Sequence, residues 1–201
     1  MNARNLHVPG CLSALLIITA CGGAAQQVLL GRNALQIGRP EAAVPFLRQA
    51  VELDPNYRVS PVLRESVLSY LGRAHYETGN FAEARPILEK AIASDKDNHA
   101  ARLYLGLTLL RSGDRERGRK EAESGLKGIH ESLEHIAADR VYGDFWDTGR
   151  EIRSGIQRIL GGKLEADEFV ASAQRIGSLL DEEIDKATRF EASSRYRAGG
   201  E

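Results

Sequence analysis

The chain has 201 residues but only two cysteines, Cys11 and Cys21, with one tryptophan and one methionine. So few thiols exclude a disulfide framework and a cysteine-rich metal site. Aromatic residues make up 6% and prolines number six. The β-branched runs of a sheet protein are missing as well. Neither sign of charge dominates: the net charge is −1, which leaves no electrostatic case for nucleic acid. Gly161-Gly162 and Gly199-Gly200 are isolated pairs, not a phosphate-cradling loop, and HExxH spacing is absent. His130 and His135, with Glu131 and Glu134, form the one His-acid cluster. Histidines five apart on a helix point away from a shared metal, so a solvated face is expected there. The expectation is therefore a non-enzyme with no catalytic constellation, no metal and no cofactor. What is present favours a folded helical protein: 42% hydrophobic and 27% charged residues, rich in Ala, Leu, Glu and Arg.

Residues 1–20 read as a leader. Arg4 and His7 precede an apolar run from Cys11 to Ala20 that is too short to cross a bilayer but suits a signal-peptide core. The run ends Ile18-Thr19-Ala20-Cys21, which resembles a bacterial lipobox. That resemblance implies a thioether-linked diacylglycerol on Cys21, which would become the mature N-terminus. Acyl chains gain about 0.8 kcal/mol per buried methylene, enough for an anchor without a transmembrane helix. Gly22 follows, not aspartate, so the periplasmic face of the outer membrane is the expected location. The alternatives are an ordinary signal cleaved near Ala24 or Ala25, or an uncleaved anchor. With Arg4 removed the mature net charge becomes −2.

Residues 65–98 carry Leu71-Gly72, Gly79, Phe81, Ala84, Leu88 and Ala91 at offsets that resemble a tetratricopeptide repeat. In the same 34-residue frame, 24–57 has Leu30-Gly31, Gly38, Ala43, Leu47 and Ala50, and 99–132 has Leu105-Gly106, Gly113, Gly118 and Ala122. Pro45 and Pro86 fall at the same repeat position, near the start of the second helix of their units, where a missing N–H costs least. The resemblance implies an all-α fold: a right-handed α-solenoid of antiparallel helix pairs with a helical cap at 133–201. Small residues let paired helices approach, and the turn glycines end each first helix in a left-handed conformation. Asn80 and Glu83 have capping-box spacing. Ser60-Pro61 reads as a helix start, so the seven extra residues at 58–64 are expected to lengthen the first helix of the second unit.

An apolar stripe at Ala122, Leu126, Ile129, Leu133 and Ile136 predicts one long helix over 114–139. Phe145-Trp146 is expected to plug the end of the array, with Asp144 or Asp147 as a cap. Two helices follow, near 148–160 and 166–190, the second fraying from Glu182 onward.

In tetratricopeptide repeats the first helix of each unit lines a concave surface that binds protein or peptide partners. Carried over, that surface contains Arg32 and Gln36, then Ser69, Arg73, Tyr76 and Glu77, then Leu103, Leu107, Leu110 and Arg111. Arginine forks suit an acidic or C-terminal peptide segment. Val28, Tyr70 and Ala100 stand where chaperone-binding repeats carry a lysine-asparagine clamp, so that activity is not implied. Three leucines on an open face need a cover. Either a C-terminal helix folds back over them, or they form an apolar groove for a partner helix. The functional expectation is a lipid-anchored periplasmic scaffold, in envelope assembly or secretion. A second expectation is an accessory or sensor protein holding a small ligand between repeats and cap.

Overall fold

The computed structural model describes residues 23–60, 62–139, 143 and 145–198, with side chains as far as residue 190. The leader, Cys21, Pro61 and Asp144 therefore lie outside the described residues. Six helices form three antiparallel pairs: α1 (Ala24–Gln36) with α2 (Pro40–Leu53), α3 (Val67–Glu77) with α4 (Phe81–Ser94), and α5 (His99–Arg111) with α6 (Arg115–Ala137). This is an all-α tetratricopeptide-repeat solenoid. The turn glycines Gly38, Gly79 and Gly113 all take positive φ, where a side chain would be strained. A methyl group on Gly72 would fall 2.5 Å from Leu88, and one on Gly31 would meet Leu47 at the same distance, so each pair closes through one small residue.

The third pair is tighter. A methyl group on Gly118 or Gly125 would strike the α5 backbone at Leu110 or Leu103, and one on Gly106 would strike the α6 backbone at Ala122. Backbone rests on backbone here.

Three local expectations need correction. The insertion does not lengthen α3. It makes a small antiparallel ribbon of β1 (Arg58–Ser60) and β2 (Glu65–Ser66), and α3 starts only after Ser66. Ser66 and Ser69 cap each other reciprocally, and that satisfies the first turn without help from residue 60. The ribbon is held down by Arg58 and Arg64, both bonded to Asp95 after α4. Burial alone would push the Asp95 carboxyl up, but the two arginines hold it at about 2. Asn80 does not form a capping box: its amide donates to Thr78 Oγ1, and it makes no side-chain bond to the start of α4. Pro45 and Pro86 lie in the second turn of α2 and α4, not at the start. Each removes one helical bond there.

After α6 the chain folds back. Trp146 is buried in the core at the end of the array, and Phe145 stacks on Phe190 at 4.1 Å. Asp147 accepts the N–H groups of Ile152 and Arg153 (3.0 and 3.1 Å) and so starts α7 (Glu151–Gly161). The last helix, α8 (Ala166–Ala198), is 33 residues long, about 50 Å at 1.5 Å per residue. It does not fray at Glu182: Glu183, Ile184 and Ala187 are buried, and Glu183 accepts the backbone N–H of Asp147 at 2.7 Å.

Candidate functional site

The concave face is the candidate site, and α8 lies along it. From its N-terminal end α8 meets the third repeat first and the first repeat last. Phe169 is fully buried, with the Arg119 guanidinium 4.0 Å from its ring centroid. Gly177 packs on the Tyr104 ring tip, where any side chain would collide. Asp181 then meets α3 and α1, and Asp185 meets α1.

Asp181 is the centre of a buried polar network and is 2% exposed. Arg32 of α1 donates Nε and Nη2 to its Oδ1 (2.9 and 2.5 Å), and Nη2 also reaches the Asp181 carbonyl at 3.2 Å. Tyr70 of α3 donates its hydroxyl to the same oxygen at 2.8 Å. Arg73 approaches Oδ2 at 3.5 Å and donates Nε to Glu77 at 2.7 Å. Arg32 also pairs with Asp185 at 2.8 Å, and Gln36 donates to the other Asp185 oxygen at 2.7 Å. Two repeats thus close on one carboxylate, the fork geometry for which arginine is suited. The guanidinium of Arg32 lies 5.3 Å from the Tyr70 ring centroid and that of Arg73 5.4 Å from Tyr104, which adds cation–π attraction in a desolvated site.

Glu65 of the ribbon joins this network. It is buried and hydrogen-bonds the Tyr70 hydroxyl, and burial pushes its carboxyl up to about 7. With the Tyr70 proton given to Asp181, a protonated Glu65 can donate to the Tyr70 oxygen. The chain Glu65–Tyr70–Asp181 is then satisfied throughout.

Of the residues named from the repeat pattern, Arg32, Gln36, Arg73, Tyr76 and Glu77 do converge on the groove, and what fills it is α8. Tyr76 donates to Gln174 of α8 at 3.3 Å and accepts from Arg111. Leu103 and Leu107 are fully buried in the core that includes Phe169, Ile176 and Leu180 of α8, and Leu110 is half-buried at its edge. Ser69 is turned inward: its hydroxyl donates to the Ser66 carbonyl at 2.6 Å and serves the cap. The pattern missed Glu65, Asp181 and Asp185. One signal for them was present. Gly177, Asp181 and Asp185 recur every four residues beside Ile176, Leu180 and Ile184, and a carboxylate within an apolar stripe needs a buried cation.

The space between repeats and α8, bounded by Glu65, Arg73, Tyr104 and Gly177, is only about 10 Å³, room for one water at most. Larger clefts are open and peripheral: about 510 Å³ between α7 and α8, and about 450 Å³ beside α1, the ribbon and α8. His130 faces Gln157 at 3.1 Å. Among the described residues no group of His, Cys, Asp and Glu is placed to hold a metal, and no helix is long and apolar enough to cross a membrane.

Sequence models of the tetratricopeptide repeat match residues 27–57 and 71–130, the first unit and most of the second and third. The unmatched stretch between them contains the ribbon. No curated protein matches the chain.

Proposed function

We propose that this tetratricopeptide-repeat protein is a non-enzymatic interaction scaffold held in the cell envelope by an acylated Cys21, at the periplasmic face of the outer membrane. One observation carries the binding half of this reading: Arg32, Tyr70 and Arg73, from two successive repeats, grip a carboxylate on a helix lying in their groove. A groove that holds a helix through apolar contacts and an arginine-gripped carboxylate is a helix-binding surface. Here the helix is the chain's own α8, so the groove is complete in cis. A protein partner therefore engages the outer surfaces and ends of the solenoid, and α8 fixes the curvature it meets. The anchoring half rests on Ile18-Thr19-Ala20-Cys21 at the end of a short apolar run.

Two measurements test the reading. Palmitate labelling of the full chain is expected to place lipid on Cys21, and normal processing and membrane retention of a Cys21→Ala protein would remove the anchor. Affinity capture from envelope extract is expected to return one stoichiometric protein. A clean monomer carrying a small molecule would point instead to a ligand-binding accessory protein.

A further inference from the structure

The outward face of α1 is unlike every other solvent-facing helix surface of the repeats. Leu29 and Leu30 are 55% and 38% exposed, and Ile37, the C-cap residue just past the helix, is 66% exposed. At 100° per residue they fall with Gln26 and Asn33 inside an arc of about 100°. The only charged residue of α1 is Arg32, and it is turned inward onto Asp181. The helix thus presents no solvated charge of its own, whereas α4 and α6 expose Arg85, Glu89 and Arg117. The end of a solenoid ordinarily needs a polar outer face.

From the acylated Cys21 on which this inference rests, we infer that α1 lies in the membrane interface, with Leu29, Leu30 and Ile37 turned into the lipid. Helix α1 begins at Ala24, three residues after Cys21. Three extended residues span at most about 10 Å, so lipid on Cys21 holds the start of α1 at the headgroup layer. The arc carries no charged side chain, so seating it in the headgroup layer buries apolar surface without desolvating a charge. A second copy fits less well. A helix of 13 residues is about 20 Å long, and a face about 10 Å wide offers roughly 200 Å², against about 800 Å² per partner in a stable protein interface.

The test uses the full-length, processed and acylated protein. With Cys21 acylated and Cys11 removed with the leader, an Ile37→Cys variant has one free thiol for an environment-sensitive nitrobenzoxadiazole dye. A Glu89→Cys variant on α4 is the control. On vesicles of phosphatidylethanolamine and phosphatidylglycerol, the dye at position 37 is expected to shift to the blue. It is also expected to lose at least half its emission to a shallow doxyl-lipid quencher, with position 89 unchanged. Adding Leu29→Asp and Leu30→Asp is expected to abolish that response while the protein still co-sediments with vesicles. A co-sedimenting, acylated protein whose position-37 dye stays water-like would overturn the inference and leave the anchor intact. Protection that depends on protein concentration and not on vesicles would overturn it in favour of a second copy. A Cys21 that reacts as a free thiol in the processed protein would remove the anchor and the inference together.

Discussion

The two halves of the concave groove hold α8 by opposite means. In the third repeat the contact is apolar: Leu103 and Leu107 are fully buried in one core with Phe169 and Ile176. In the first two repeats it is ionic: Arg32, Tyr70 and Arg73 around Asp181, with Glu65 beneath. The apolar half supplies the energy, since full burial of each such side chain contributes about 1.5–3 kcal/mol. The ionic half supplies the register. Desolvating several charges roughly cancels their attraction, so its net contribution to stability is small, but one carboxylate bonded from two helices tolerates no slip. A slip of one or two residues along α8 would carry the carboxylate away from Arg32 and Tyr70.

The comparison can be broken most directly by deleting residues 164–201. Both halves lose their occupant at once, and the truncated protein is expected to self-associate and bind hydrophobic dye. If it stays monomeric and binds no more dye than the full chain, the apolar half is not the buried surface described here. Phe169→Ala acts on the apolar half alone and is expected to cost about 3–5 kcal/mol in urea unfolding, with little dependence on salt. Asp181→Ala acts on the ionic half. It is expected to cost about 3 kcal/mol, because Arg32 and Arg73 lose their shared carboxylate but keep Asp185 and Glu77. A combined Arg32→Met and Asp181→Leu protein is expected to recover most of that stability, and an undiminished loss would show that the ion pair itself stabilises the fold.

The smallest effect depends on pH. Glu65 keeps its proton in the native state up to about 7, against 4.5 as its ordinary value, so the folded protein binds the proton more tightly than the unfolded chain. Stability is therefore expected to fall as pH rises from about 4.5 to 7. Glu65→Gln is expected to remove that slope. It should leave stability unchanged below about pH 4.5 and raise it above pH 7 by on the order of 3 kcal/mol. Parallel pH profiles for the two proteins by thermal unfolding would show that burial of Glu65 does not govern its titration.

The helix pairs were legible because glycine and alanine spacing is a local code. Gly38, Gly79 and Gly113 mark turns that need positive φ, and Gly31 and Gly72 mark close contacts with Leu47 and Leu88. The 58–66 ribbon was not legible. Ser60-Pro61 imitates a helix start, while the cap that acts is Ser66 with Ser69, and the arginines that hold the ribbon find Asp95 some thirty residues away. The groove residues were legible as a set, and a C-terminal helix folding back was one of the two occupants expected for the leucines; the ionic grip on Asp181 was not legible. Repeat position says which side chains face inward and nothing about what lies there. The far end of α8 looked too charged to pack because Glu183 and Asp185 are bonded to Asp147 and Arg32, partners beyond any local window.

By itself the sequence determined the helix pairs, the turn between the members of each pair and the inward face of each first helix, because those follow from 3.6-residue periodicity and from what glycine alone can do. The leader and the acylated Cys21 are proposals read from the chain and not from the fold. Only the tertiary structure decided that α8 returns 149 residues to meet Arg32, so that a surface built to hold a helix already holds one. The physical reason is that a buried carboxylate is stable only where several donors converge. That convergence belongs to three helices distant in sequence and to none of them singly.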